Sequence, residues 1–144
     1  MRSLIVCTIL LVVATLGAAR EPTIDDLKSR ARTASLQDRP GLCMQIAEHQ
    51  LRNADKLYRD GDSELARSAI DDIVIYSGQA SDAATTTKKH LKNVEISVRK
   101  IAEKLRDVKR TLSIEDQPTV QHAIERLEDI RTSLLQQMFK KEKK

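Results

Sequence analysis

From Ile70 to Leu112 the inward-type positions recur at alternating steps of three and four. They run through Ile73, Ser77, Ala80, Ala84, Thr87, Leu91, Val94, Val98, Ile101, Leu105 and Val108. This period puts every one of them on a single stripe of an α-helix. A strand cannot use it, because strand faces alternate every second residue. No Pro and no turn cluster interrupts the run. The pattern predicts one long helix over residues 62–112, with Gly78 and Thr85-Thr86-Thr87 as its weak points. Gly costs about 1 kcal/mol in a helix and each β-branched residue a few tenths. The alternative is two helices meeting near Thr85. Unbroken, the 51 residues would extend about 76 Å at about 1.5 Å per residue.

Shorter helices are expected on either side. Thr23 followed by Asp26 has the form of a capping box, and Ile24, Leu27, Ala31 and Ala34 carry a weak stripe as far as Leu36. Asp38-Arg39-Pro40-Gly41 is expected to break it. A second helix is expected from about Leu42 to Asp60, on Leu42, Cys43, Ile46, Ala47, Leu51, Ala54, Leu57 and Tyr58. Gly61 stands where a left-handed residue closes a helix, and Asp62 or Ser63 can cap the next. The last helix is expected from Gln117 or Pro118, with Asp116 as its cap and Val120, Ile124, Leu127, Ile130, Leu134 and Met138 inside. The expected fold is therefore all-α, an elongated antiparallel helical bundle built on one long central helix, with Gly78 the place for any bend. With two Tyr, one Phe and no Trp, its core must be aliphatic.

Ala54-x-x-Leu57-Tyr58-x-x-Gly61-Asp62-x-x-x-Ala66, followed by Ile70, resembles the hairpin of a single tetratricopeptide repeat. The resemblance implies two antiparallel helices meeting at Gly61. Such repeats form a peptide groove only when about three copies stack, and this chain carries one, so peptide binding is not carried over.

The N-terminus has the three parts of a secretory signal. Arg2 supplies positive charge. Leu4 to Leu16 is apolar apart from Thr8 and Thr15. Gly17, Ala18 and Ala19 are small enough for a peptidase, and the expected cut falls between Ala19 and Arg20. The apolar run is shorter than the roughly 20 residues that span a bilayer. The expected organisation is a leader over 1–19, a single helical domain over 20–139 and a basic tail over 140–144, exported to a periplasmic or extracellular space. Removal of the leader takes Cys7 with it and leaves Cys43 alone. Cys43 shares a helix face with Ile46 and Ala47, so a buried thiol is expected there.

Charge is segregated along the chain. Residues 62–84 hold five acids and one Arg, residues 85–112 hold nine Lys or Arg and three acids, and residues 113–139 hold five acids and two Arg. A last helix folding back would lay an acidic face beside the basic stretch. That stretch reads first as an intramolecular partner surface. Lys88, Lys89, Lys92, Arg99 and Lys100 are the residues expected to meet an anionic surface if one is bound. Nucleic acid is not an expected partner, because no aromatic side chain lies nearby to stack on bases.

No catalytic constellation is present. His49, His90 and His122 fall on separate segments, and none has a second ligand at three- or four-residue spacing. There is no nucleophile elbow and no Gly-rich phosphate loop. No metal, cofactor or enzymatic activity is expected. The expected function is a non-enzymatic helical interaction or structural module of the cell envelope, with anionic-surface binding as the alternative and small-ligand or metal binding behind it. The interaction seam would be Leu91, Val94, Val98, Ile101, Leu105 and Val108. Two short helices cannot cover a helix of 76 Å, so a second copy, giving a homodimer, or another protein is the expected partner.

Overall fold

The computed structural model describes residues 20–140. The expected leader over 1–19, including Ala19 at its cleavage point, and the tail residues 141–144 lie outside the described residues. Five helices follow in order: α1 (Ile24–Thr33), α2 (Arg39–Arg59), α3 (Ser63–Thr87), α4 (Leu91–Thr111) and α5 (Gln117–Lys140).

The all-α bundle is present, but the long central helix is not. It divides into α3 and α4 at Lys88-Lys89-His90. Lys88 has φ 56° and His90 has φ 63°, both in the left-handed region. The local chemistry explains the break. Thr86 Oγ1 donates to the Asp82 carbonyl and Thr87 Oγ1 to the Ala83 carbonyl, so both hydroxyls compete with the helical ladder near its end. Thr87 Oγ1 then accepts from the Lys89 N–H at 3.3 Å, holding the turn. The break falls three residues beyond the Thr85 meeting point of the two-helix alternative. Gly78 stays inside α3.

Two shorter corrections concern helix starts. Pro40 and Gly41 do not break the chain. They sit in the first turn of α2, where Pro sacrifices no intrahelical hydrogen bond, and the break falls earlier, at residues 34–38. Asp116 does not spend its carboxylate on α5. It accepts from Ser63 Oγ at 3.0 Å and Ser113 Oγ at 3.2 Å, and pairs with Arg67 at 3.3 Å. Two expected devices are present: the reciprocal Thr23–Asp26 capping box on α1, and the closure of α2 at Gly61, where φ is +84°. At that closure the Gly61 N–H donates to the Tyr58 carbonyl and the Asp62 N–H to the Leu57 carbonyl. These are the two reverse bonds that satisfy a helix C-terminus.

Helices α2 to α5 form an up-down-up-down bundle. α2 packs on α3, α3 on α5, α5 on α4 and α4 on α2, while α2 and α5 do not meet. The Lys88–His90 turn therefore carries the chain across a diagonal. α1 folds back on α2, and Lys28 reaches Asp72 of α3 at 2.6 Å. The interior is aliphatic as expected, with Ile46, Ile70, Ile73, Val98, Leu105, Val120, Leu127 and Leu134 all buried.

The two ends of the bundle differ. One gathers the α2–α3 turn and the start of α5, tied by Ser63 to Asp116. The other gathers the Lys88–His90 turn and the end of α5, tied by Lys88 Nζ to Gln137 Oε1 at 3.0 Å.

Candidate functional site

The expected seam lies inside the bundle. Leu91, Val94, Val98, Ile101 and Leu105 are buried, and Val108 is half-buried. α4 contacts α2, α3 and α5, which together cover this stripe. The surplus apolar surface that a helix of 76 Å would leave uncovered is absent at these positions. Dividing the helix lets both halves of the stripe face each other across one core.

The basic stretch divides into two groups. One faces α5, as the charge segregation implied. Arg106 pairs with Glu128 at 2.6 Å, Lys109 Nζ donates to Gln121 Oε1 at 2.8 Å, and Lys88 donates to Gln137. Arg99 lies between Glu95 at 3.8 Å and Glu103 at 3.7 Å on its own helix. The second group is Lys89, Lys92, Lys100 and Lys104. All four are exposed, and none forms an ion pair among the described residues. Lys89 and Lys92 lie at the Lys88–His90 end. Lys100 and Lys104 lie farther along α4, beside a cleft of 560 Å³ against α2. Leu51, Ile101 and Val108 are among its lining residues, together with Arg52.

The cations at the opposite end are paired. Arg59 meets Asp55 at 3.1 Å, Arg110 meets Asp107 at 3.2 Å, and Arg67 meets both Glu64 and Asp116 at 3.3 Å. Hydrogen bonds from Ser63, Ser113 and Arg67, together with the Arg67 charge, hold the Asp116 carboxyl below the usual carboxylate value. That end also exposes two large apolar side chains, Leu65 at 60% and Ile114 at 86%. At the Lys88–His90 end the exposed apolar side chains include Phe139, at 61%, and Leu36, at 44%, in the loop before α2. Leu135, one turn earlier on the same helix, is half-buried.

Cys43 is fully buried in α2, and its Sγ lies 3.9 Å from Gln79 Oε1. Burial pushes its thiol up to about 11, which keeps it protonated and unreactive at neutral pH. His49 lies in α2, His90 in the α3–α4 turn and His122 in α5. Among the described residues no three His, Cys, Asp or Glu side chains are grouped to hold a metal ion.

One polar cluster had no signal in the sequence. Asp72 Oδ2 accepts from both Lys28 Nζ and Gln50 Nε2, each at 2.6 Å, and Gln50 Oε1 accepts from Asn53 Nδ2 at 3.2 Å. Lys28 also lies 5.6 Å from the centre of the Tyr76 ring. The Asp72 hydrogen bond, working against burial, raises the Lys28 pKa. These partly buried groups join α1, α2 and α3, so the cluster works as a polar clasp for α1. No protein-family model, no characterised protein and no solved structure matches this chain.

Proposed function

We propose that this chain is an exported, non-enzymatic interaction module whose basic end binds an anionic surface of the cell envelope. Export rests on the N-terminal sequence alone. The observation that carries the surface reading is the Lys88–Gln137 bond. It puts the Lys88–His90 turn, with Lys89 and Lys92 beside it, at the same end as Lys140. A set of cations far apart in sequence thereby becomes one local patch. Unpaired cations keep their long-range field, and a clustered field attracts anionic surfaces without a sequence motif.

The test is sedimentation with purified envelope fragments. The protein should co-sediment at low salt and be released at moderate salt. Lys89→Gln with Lys92→Gln should stay in the supernatant. Salt-insensitive sedimentation of both proteins would overturn the reading.

A second reading, binding of another protein, is favoured by Leu65 and Ile114 at the opposite end. Two large exposed apolar side chains at one end of a small bundle suit a contact that buries them. Leu65→Ser with Ile114→Ser would then abolish capture of a partner from envelope extract without changing the salt-dependent sedimentation.

A further inference from the structure

We propose that the surface bound by the basic end is an anionic lipid bilayer, and that Phe139 is the side chain that enters its headgroup region. The inference rests on the end-on reading above and names the partner for that end.

Lys88 bonds Gln137, and Arg131 bonds Glu95 at 2.8 Å, so the last three turns of α5 run beside the Lys88–His90 turn and the start of α4. Phe139 is two residues beyond Gln137 and stands exposed at this end. Leu135, Thr132 and Lys140 line the same shallow depression. The exposed Phe139 ring and the half-buried Leu135 therefore form an apolar surface with the cation Lys140 on its rim.

The charge around it is not neutralised internally. Lys89, Lys92 and Lys140 form no ion pair among the described residues. Of the carboxylates near this end, Asp38 accepts from the neutral Ser35 hydroxyl at 2.7 Å and keeps its charge, but pairs with none of these lysines among the described residues. Asp82 lies about one and a half turns before the end of α3. At the opposite end Arg59, Arg67 and Arg110 are all paired.

The chemistry selects a bilayer over a soluble polyanion. A polyanion needs only the cations and gains nothing from Phe139. A bilayer offers phosphates to the lysines and an apolar layer to the ring. One weak apolar insertion is marginal alone and becomes stable when joined to a polybasic patch. Among the described residues no helix is long and apolar enough to cross a membrane, so the contact proposed is peripheral.

Phe139→Trp tests this at the site itself, because the chain has no Trp and the reporter ignores whatever residues 1–19 do. The full chain is titrated with vesicles of phosphatidylglycerol and phosphatidylcholine, with phosphatidylcholine alone, and with dextran sulfate. A blue shift of tryptophan emission is expected with the anionic vesicles only. Lys89→Gln with Lys92→Gln should weaken vesicle affinity about 25-fold, at about fivefold per lysine near the surface. Lys100→Gln with Lys104→Gln should weaken it less than about threefold, since those charges stand more than a screening length back from the end. Vesicle binding with silent tryptophan emission would overturn lipid insertion and leave the end-on anionic reading intact. Equal losses for the two lysine pairs would overturn the end-on geometry. No binding to anionic vesicles or dextran sulfate would overturn both readings.

Discussion

Arg131 on α5 donates to the Glu95 carboxylate on α4 at 2.8 Å, and Glu95 is only 8% exposed. Removing Arg131 leaves that buried carboxylate only the more distant Arg99 at 3.8 Å, and an under-compensated buried charge is worse than no charge at all. Arg131→Gln is therefore expected to destabilise the protein more than Glu95→Gln does. The double variant should lose less than the sum of the two single losses. Denaturant midpoints of the four proteins measure the coupling, and strict additivity would mean that the pair does not interact.

The attachment of α5 as a whole is apolar. Leu127 and Leu134 are fully buried, whereas the Arg106–Glu128 pair is partly exposed. Leu134→Ala should cost about 2–5 kcal/mol. Moderate salt should cost little, because exposed pairs are worth about 0–1 kcal/mol each. Thermal melts across a salt series check this, and release of α5 by salt alone would reverse the assignment.

Gly61 and Gly78 are expected to respond in opposite directions. Gly61 holds φ +84°, so Gly61→Val forces a β-branched residue into the left-handed region at about 1–2 kcal/mol. Gly78 lies inside α3, and an added Cβ there meets nothing within 4 Å. Gly78→Ala should stabilise by up to about 1 kcal/mol. A lower melting temperature for Gly78→Ala would contradict an uninterrupted α3.

The Gly61 closure was legible in the sequence because a left-handed helix terminus has a residue type that betrays it. The break at Lys88-Lys89-His90 was not. Its left-handed residues are Lys and His, which carry no such signature. The apolar spacing also passes through it unchanged, since Ala84, Thr87 and Leu91 keep the same three-four rhythm on both sides. Periodicity reports which residues turn inward and is silent on whether the helix axis continues. The apolar line from Leu91 to Leu105 therefore lies in the core of one bundle, a placement that its spacing alone does not distinguish from an interface. The Asp72 clasp was illegible for another reason. Lys28, Gln50 and Asp72 are residue types that normally face water, and only the packing of three helices brings them together.

Asp116 predicts a pH dependence. Its folded pKa is lowered by Ser63, Ser113 and Arg67. The folded state thus favours the ionised form more than the unfolded chain does. The resulting stability is complete above the ordinary carboxylate range and is lost as pH falls through the lowered value. Asp116→Asn should lower the melting temperature at neutral pH, and the gap to wild type should close in acid. A gap that persists unchanged in acid would show that the Asn side chain disrupts the turn for steric reasons.

His90 separates two helices from one. At φ 63° a residue with a Cβ bears a strain of about 1–2 kcal/mol that Gly does not. His90→Gly relieves that strain, offset in part by the greater freedom of Gly in the unfolded chain. The expected result is a stability equal to wild type or up to about 1 kcal/mol higher. Were residues 62–112 one continuous helix, the same substitution would place Gly in a helix interior and cost about 1 kcal/mol. The sign of the change in a chemical denaturation experiment decides between the two. A clear loss would restore the unbroken helix, and with it the uncovered apolar seam that such a helix would have to present to a partner.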